Sequence, residues 1–246
     1  MNKFFFIIWG NPKFYQTLIF LAQSLSKKGY KIYIFSKNTN KQKEIIGNIY
    51  FGKNTKIIKI PDFLSGYLNF VDFALFTILV TFKTFLIKPQ NFIFFNKKAL
   101  LISIILNLFK KKKTKFIYHN FDHDLSKNTD KINEKIFIKL EYISSKICEY
   151  LIFPSLERSK IFIKYSKNSH SKSFFLMNCF PLNHKFKISG KFQTFLKNKK
   201  FNQKKIICHL GSIGPDHYLD NIVKSVKYIR RNIILIIGGS SIANYD

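Results

Sequence analysis

Apolar residues in the first 37 positions form two continuous runs separated by a stretch with helical spacing. The runs are "KFFFIIWG" and "KIYIFSK", and their lack of polar alternation predicts strands of a parallel sheet that is buried on both faces. Between them, apolar residues recur every three or four positions, at Phe14, Leu18, Leu21 and Leu25. Gly29 follows where a helix C-terminal cap is expected. The pattern predicts a strand–helix–strand unit with a right-handed crossover.

The same alternation continues to residue 186. Further strands are predicted at "KIIKIP", "NFIFF", "KFIYH", "YLIFPS" and "KSFFLMNCFP". Helices are predicted between them at residues 64–87, in "KALLISIILNLF", on the apolar face formed by Ile136, Leu140, Ile143 and Ile147, and in "LERSKIFIKYS". Strands that alternate with helices predict an α/β fold, here a doubly wound, Rossmann-like parallel sheet.

A second unit of the same kind begins after a polar, basic stretch. Residues 187–204 predict a linker between a first domain at 1–186 and a second at 205–246. The second domain starts as strand, helix and strand in "KIICHLGSIGP", "DHYLDNIVKSVKYIRR" and "NIILIIGGSS". Two strands and one helix cannot cover both faces of a parallel sheet. We therefore expect a truncated second unit, elements that complete the first sheet, or a partner chain that completes the second.

The charged residues of the chain narrow the kinds of partner that it is expected to bind. Lys and Arg number 42 against 13 Asp and Glu, which gives a net charge of +29. The arginines are only Arg158, Arg230 and Arg231. Because base recognition and bidentate phosphate recognition favour arginine, the charge does not predict specific nucleic-acid binding. Lysine runs such as "FKKKKTKF" and "FLKNKKFNQKK" are expected to be either solvated surface or a region that attracts an anionic membrane.

Cysteine usage and the longest apolar stretch indicate the compartment. The three cysteines are widely spaced, so no disulfide framework or zinc ribbon is predicted and a reduced, cytoplasmic environment is expected. Residues 67–87 are a candidate membrane span, but Asp72 and Lys83 interrupt them. We expect a buried or membrane-apposed helix there, and a cytoplasmic protein that is at most peripheral at the inner face of the membrane.

Titratable residues concentrate in "KFIYHNFDHDLS", at residues 115–126. His119 directly follows an apolar strand, so it should lie at the carboxyl edge of the sheet, where open α/β folds bind ligands. Asp122, His123 and Asp124 follow within five residues. All four are metal-ligand residue types, but they lack a metal-ligand spacing, and no metal site is predicted. A ligand-facing loop and ordinary capping of the next helix both stay open.

Nucleotide-cofactor motifs are missing where a first strand–helix–strand unit would carry them. The loop after the first strand is Gly10-Asn11-Pro12-Lys13, with one glycine in place of G-x-G-x-x-G. The second strand ends Phe35-Ser36-Lys37 without the acidic residue of dinucleotide sites, and the chain has no P-loop. NAD and ATP sites of these kinds are therefore disfavoured, although Gly10 still lets the backbone approach a ligand.

The order of these segments resembles the N-terminal part of the retaining, two-domain glycosyltransferases of family 4, which have the GT-B architecture. The likeness covers essentially the whole chain and rests on "LAQSLSKKGYKIYIFS", "KPQNFIFFNKKALLISIILNLFKKKKTKFIYHNFDHDL", "CEYLIFPSLERSKIF", "FFLMNCFP" and "KIICHLGSIGPDHYLDNIVKSV". Residues 214–218 offer no Lys or Arg where the family holds the donor's diphosphate, and the family's Glu-x7-Glu element would lie beyond residue 246. The resemblance implies an acceptor-side domain followed by a truncated start of the nucleotide-sugar-binding domain. Whether the 246-residue chain is active alone stays open.

This resemblance implies sugar transfer from a nucleotide-sugar co-substrate, without a further cofactor, to a saccharide or lipid-linked acceptor in cell-surface glycan synthesis. The implied active-site histidine is His119 or His123. Implied substrate-binding residues are Gly10, Asn11, Asp122 and Asp124. Implied donor-phosphate-binding residues are Gly211, Ser212 and Gly214. The composition leaves one alternative, a non-enzymatic basic protein that binds anionic membrane or nucleic acid through its lysines.

Overall fold

Seven parallel strands form the main sheet of the protein, in a computed structural model that describes residues 2–37, 50–60, 69–121, 132–168, 171–176, 190–199, 201, 204–210, 219–228 and 232–238. The strands are β1 (Lys3–Ile8), β2 (Lys31–Lys37), β3 (Thr55–Ile60), β4 (Asn91–Phe95), β5 (Lys115–His119), β6 (Tyr150–Phe153) and β7 (Lys172–Phe175). The helices that accompany them are α1 (Gln16–Lys27), α2 (Asn69–Ile87), α3 (Lys97–Asn107), α4 (Ile132–Ser145) and α5 (Leu156–Ser166). The predicted α/β fold with a Rossmann-like parallel sheet is confirmed.

The strand order creates a ligand crevice. Across the sheet the order is β3-β2-β1-β4-β5-β6-β7, so the chain moves outward from β1 in one direction and then from β4 in the other. Phe95 at the end of β4 lies opposite both Ile8 of β1 and His119 of β5, which makes the three strands end at one level. The boundary between β1 and β4 is therefore a topological switch point, the place where open α/β sheets bind ligands at their carboxyl edge.

Both faces of the sheet are covered by helices. Because successive side chains of a strand point to opposite faces, Phe5 and Ile7 belong to one apolar cluster while Phe6 and Ile8 belong to the other. The first cluster includes residues of α2, α3 and α5, and the second includes Leu18 of α1. Continuous apolar strands are required in such a sheet, which explains why the strands lack polar alternation.

Caps define the ends of three helices, and the predicted one is at Gly29. Gly29 has a φ of +84°, in the left-handed region that a helix C-terminal cap uses. Asn96 Oδ1 accepts a hydrogen bond of 3.0 Å from the Ala99 N–H at the start of α3. Ser155 Oγ accepts one of 3.3 Å from the Arg158 N–H at the start of α5. The caps at Asn96 and Ser155 satisfy N–H groups that have no partner within the helix.

Helix α2 is apolar on its inner and its outer side. Within the described residues it is the one helix with the length and composition of a membrane span, since Phe70–Ile87 has a mean hydropathy of 2.0 and is 22% buried. However, Phe76 and Val80 are fully buried in the core of the sheet. The helix also connects β3 to β4 of the same parallel sheet. It is therefore a crossover helix with one apolar side on the sheet and another facing outward.

The chain separates into two compact units, Met1–Pro181 and Leu182–Asp246. In the second unit the structure describes α6 (Gly190–Asn198), β8 (Lys205–Leu210), α7 (Leu219–Ser225) and β9 (Ile233–Gly238). Strands β8 and β9 pair in parallel as a sheet of their own, so the expectation that they complete the first sheet is wrong. Part of the predicted linker is helix α6, whose Phe195 ring packs 6.4 Å from that of Phe201.

Candidate functional site at the carboxyl edge of the sheet

Asn96 joins three strand ends at the switch point. It follows β4, and its Nδ2 donates a hydrogen bond of 3.2 Å to the carbonyl of Trp9, which follows β1. Its backbone N–H donates to the carbonyl of His119, the last residue of β5, at 3.5 Å. Asn96 has a φ of +82°, a conformation that costs a residue other than glycine about 1–3 kcal/mol and that concentrates at functional sites. The loops after β1 and β4 are therefore held in one arrangement.

The loop after β1 contains two of the predicted substrate-binding residues. Gly10 has a φ of +152°, and a Cβ atom there would meet only the Tyr15 side chain, whose hydroxyl oxygen would be 3.7 Å away, so the backbone conformation and not the space requires glycine. Asn11 Oδ1 accepts a hydrogen bond of 3.1 Å from the Lys13 N–H and caps the 3-10 turn of Pro12–Phe14. The structure thus gives Asn11 a capping role, and its contact with a substrate stays a prediction.

Two ammonium groups lie against the indole ring of Trp9. Lys37, at the end of β2, forms an ion pair of 2.8 Å with Asp72 of α2, and the two side chains are only 7% and 2% exposed. The Lys37 Nζ atom is 4.4 Å from the centroid of the Trp9 ring and the Lys98 Nζ atom is 5.7 Å from it. Burial, and then the charges of Lys37 and Lys97, lower the pKa of Lys98. This part of the edge is therefore positively charged and suits an anionic ligand.

His119 is fully buried at the end of β5. Its ring lies 5.4 Å from that of Phe95 and 4.3 Å from that of Phe121. Burial lowers the pKa of His119 from 6.5 to about 4, so the imidazole is neutral at pH 7. Neither ring nitrogen has a hydrogen-bond partner among the residues that the structure describes. Because nearly all buried polar atoms are paired, an unpaired neutral imidazole, with one donor and one acceptor, suits a ligand hydroxyl.

The residues on either side of this histidine fix the end of β5. The Tyr118 hydroxyl donates a hydrogen bond of 2.5 Å to Glu141 Oε1 of α4, and Asn120 Nδ2 donates one of 2.9 Å to the same oxygen. Burial and the neighbouring Glu141 carboxylate raise the pKa of Tyr118, so the phenol keeps its proton. The Arg158 guanidinium donates to the carbonyl of Phe121 at 2.5 Å. These contacts hold the imidazole between them in position.

The other predicted site residues lie outside the described residues. They are Asp122, His123, Asp124, Gly211, Ser212 and Gly214. Their roles stay predictions. Of the predicted site, the structure therefore describes Gly10, Asn11 and His119, and it places all three at the carboxyl edge of the sheet. Across the described ranges, no three His, Cys, Asp or Glu side chains come together as metal ligands would.

Sequence reasoning missed the charged residues of this edge and misplaced one helix face. Two features of the sequence could have identified such residues. Asp72 is the one acidic residue of a largely apolar helix, and Asn96 directly follows the apolar run of β4. The apolar face predicted for α4 is wrong, since Ile136 and Ile143 are exposed while Glu141 is buried. The reason is that Tyr118 and Asn120 offer two hydrogen-bond donors to a carboxylate on the inner side of α4.

Comparisons with known proteins agree with this fold. No family model and no curated protein matches the sequence. HepE from Anabaena, solved in complex with UDP, aligns with a TM-score of 0.67 and 12% identity over 99% of this chain and 62% of its own. Sucrose-phosphate synthase from Thermosynechococcus elongatus aligns with a TM-score of 0.69 and 11% identity over 100% of this chain and 64% of its own. The lipopolysaccharide outer core galactosyltransferase WaaB, in its apo form, aligns with a TM-score of 0.57 and 13% identity over 96% and 68%.

These structural neighbours are GT-B glycosyltransferases, so the fold of this chain is the Rossmann-like fold of that class. The chain spans less than two thirds of the length of HepE and of sucrose-phosphate synthase. With identities of 11–13%, the likeness concerns the fold alone.

Proposed function

We propose that this chain is a glycosyltransferase, or part of one, that transfers a sugar from a nucleotide-sugar donor to an acceptor hydroxyl. One observation carries the proposal: His119, a buried and neutral imidazole without a hydrogen-bond partner among the described residues, lies at the carboxyl edge of a sheet with the GT-B fold. HepE was solved with UDP and with UDP-glucose, which supports a nucleotide sugar as the donor. The order of motifs along the chain supports the retaining glycosyltransferases of family 4.

In such a transfer the donor is already activated, so the protein has to position the two substrates and stabilise the departing diphosphate. Because its imidazole is neutral at pH 7, His119 would donate a hydrogen bond to one sugar hydroxyl and accept one from another. His123, in the same loop, is the other candidate for this role. The loop after β1, with Gly10 and Asn11, would bind further substrate hydroxyls, together with Asp122 and Asp124. Backbone N–H groups of Gly211, Ser212 and Gly214 would bind the diphosphate.

The charge around Trp9 favours an acceptor that carries an anionic group. Lys98 has no ion-pair partner among the described residues, and its ammonium lies over the indole ring beside the buried Lys37–Asp72 pair. A phosphate on the acceptor would meet this ammonium and would oppose the lowering of the Lys98 pKa by burial and then by the charges of Lys37 and Lys97. A lipid-linked saccharide, which is held on a phosphate, has this chemistry, and it fits the proposed role in cell-surface glycan synthesis.

A transfer assay tests the proposal. The purified full chain is incubated with a panel of nucleotide sugars, with and without lipid and saccharide acceptors, and donor loss and product are measured. We expect turnover, and His119→Ala should lower it at least about 100-fold, the usual contribution of a positioned acid–base group. Leu151→Val, which alters the core on the opposite face of the sheet and away from any proposed binding surface, should keep most of the activity. No turnover and no nucleotide-sugar binding by the folded chain would refute the proposal.

We further propose that the protein works at the inner face of the cytoplasmic membrane as a peripheral protein. The outward apolar side of α2 and the lysines beyond its end support this location. Cell fractionation should find the chain in the membrane pellet, and a salt wash without detergent should release a large part of it. A chain found wholly in the soluble fraction at low salt would contradict the location.

The alternative is a basic protein without catalysis that binds anionic membrane through the same surface. This alternative predicts vesicle binding without any nucleotide-sugar binding, and its association should weaken steeply as salt rises. Nucleic acid is the less favoured partner because arginine is scarce. A partner chain that completes the two-stranded sheet of the second unit is a further proposal, which purification of the chain from its native cells with bound proteins would test.

A further inference from the structure

An apolar slot opens at the amino edge of the main sheet, opposite to the edge that contains His119. It lies between the C-terminal ends of α2 and α3 and has a volume of about 310 Å³. The buried rings of Phe92 and Phe116 form its floor, and the rings of Phe85 and Phe109 form its sides. The centroids of these last two rings are 5.0 Å apart and the rings meet edge to face, so they connect the two helices along the side of the slot. The size is that of a small ligand pocket.

Lysines surround the slot. Lys88, Lys110, Lys111 and Lys113 all line it. Lys110 forms an ion pair with Glu149, whereas the other three have no ion-pair partner in the described part of the chain. Such a group of unbalanced ammonium groups around an apolar opening requires anions for compensation, which solvent ions or a charged ligand supply.

The apolar surface continues from the slot along both helices. The exposed side chains are Phe82 (57% exposed), Phe85 (51%), Leu86 (60%), Leu108 (77%) and Phe109 (52%). Val71 and Ile78 extend the same exposed stripe along α2 towards the carboxyl edge of the sheet. A contiguous exposed apolar patch of this kind marks an interaction surface. We call these five side chains, with Lys88, Lys111 and Lys113, the α2–α3 surface.

We propose that the α2–α3 surface docks the protein on an anionic phospholipid bilayer, with the phenyl rings among the acyl chains, the lysines on lipid phosphates and an acyl chain in the slot. Exposed aromatic and aliphatic side chains beside lysines, whose stems extend over apolar surface, have the chemistry of an interfacial helix. Because the stripe runs along α2 from Val71 to Phe85, the helix axis lies in the membrane plane. The proposal rests on the peripheral membrane location proposed above and not on catalysis, since the slot and His119 are at opposite edges of the sheet.

Vesicle flotation of the full chain tests the docking. We expect binding to phosphatidylcholine vesicles that contain phosphatidylglycerol and at least tenfold weaker binding to phosphatidylcholine alone. Lys88→Gln/Lys111→Gln/Lys113→Gln should weaken binding to the anionic vesicles about 100-fold, at about fivefold for each lysine. The matched control Lys160→Gln/Lys164→Gln/Lys172→Gln removes the same charge from exposed positions of α5 and β7 and should have less than a fivefold effect.

The insertion of the rings is tested separately. Phe85→Ser/Phe109→Ser should weaken binding at least tenfold, with circular dichroism to verify that the variant is folded. A Phe109→Trp/Trp9→Phe variant should be quenched by brominated acyl chains, while native Trp9, at the other edge, should be quenched much less. Absence of binding to anionic vesicles, an equal loss in the two lysine triples, or equal quenching at both positions would each overturn the proposal.

Discussion

The buried imidazole of His119 should make the stability of the protein depend on pH. Burial lowers the pKa of His119 to about 4, whereas the unfolded chain exposes the imidazole at its ordinary value of 6.5. Between these values the unfolded state binds more protons than the folded state, so the free energy of unfolding falls as the pH falls from 6.5 towards 4. Above pH 6.5 the imidazole is neutral in both states, and its contribution no longer changes.

The size of this effect follows from the shift. A change in pKa of this size corresponds to about 3 kcal/mol when the pH is below both values, and about 2 kcal/mol of it is lost by about pH 5. Domains have a total free energy of unfolding of about 5–15 kcal/mol, so a loss of this size is easily measured. Because carboxylates also begin to titrate at this pH, the loss has to be measured as a difference between two variants.

Urea unfolding followed by the fluorescence of Trp9, the single tryptophan, measures this difference. His119→Leu keeps the apolar contact with Phe95 and Phe121 and removes the titrating group. Between about pH 7.5 and pH 5 we expect the wild type to lose about 2 kcal/mol more than the variant. An equal loss in both proteins would show that the imidazole is solvated in the folded state, which would refute its proposed burial and neutrality.

Two further predictions concern the carboxyl edge, and urea unfolding measures both. Asp72→Ala leaves the Lys37 ammonium buried without its partner and should cost about 3–5 kcal/mol, while Lys37→Met/Asp72→Leu should cost much less; similar costs would contradict a buried pair. Asn96→Ala should cost about 1–2 kcal/mol more than Asn96→Gly, because glycine adopts the φ of +82° without strain and loses little as a helix cap. Equal costs at this position would mean that the backbone conformation is not constrained.

Much of the fold was predictable because each element carries a local signal. Short continuous apolar runs correctly indicated the buried parallel strands β1, β2 and β4, and the glycine at position 29 ends α1 as expected. Helix α6 was missed because its polar composition hides the spacing of Phe192, Phe195 and Leu196, which is helical. The face of α4 was wrong because apolar periodicity assumes an apolar core, and here β5 presents a tyrosine and an asparagine to Glu141.

Within the candidate site, only those residues could be predicted whose place in the fold follows from their position at the end of a strand. His119 ends β5 and Gly10 lies two residues after β1, and parallel strands place such residues at one edge. The contacts of Trp9 with Lys37 and of Lys37 with Asp72 join three separate elements, and tertiary packing alone determines them. The same is true of the exposed side of α2, since its residues are apolar all round and their hydropathy does not indicate which side faces the sheet.

Nucleotide-sugar binding by the purified chain tests the proposed function most directly. Calorimetric titrations with a panel of uridine, guanosine, adenosine and cytidine diphosphate sugars measure it without requiring the correct acceptor. We expect saturable, one-to-one binding of at least one donor and competition by the corresponding nucleoside diphosphate. A folded chain that binds none of these donors would contradict the assignment as a glycosyltransferase, even if it still docks on anionic vesicles.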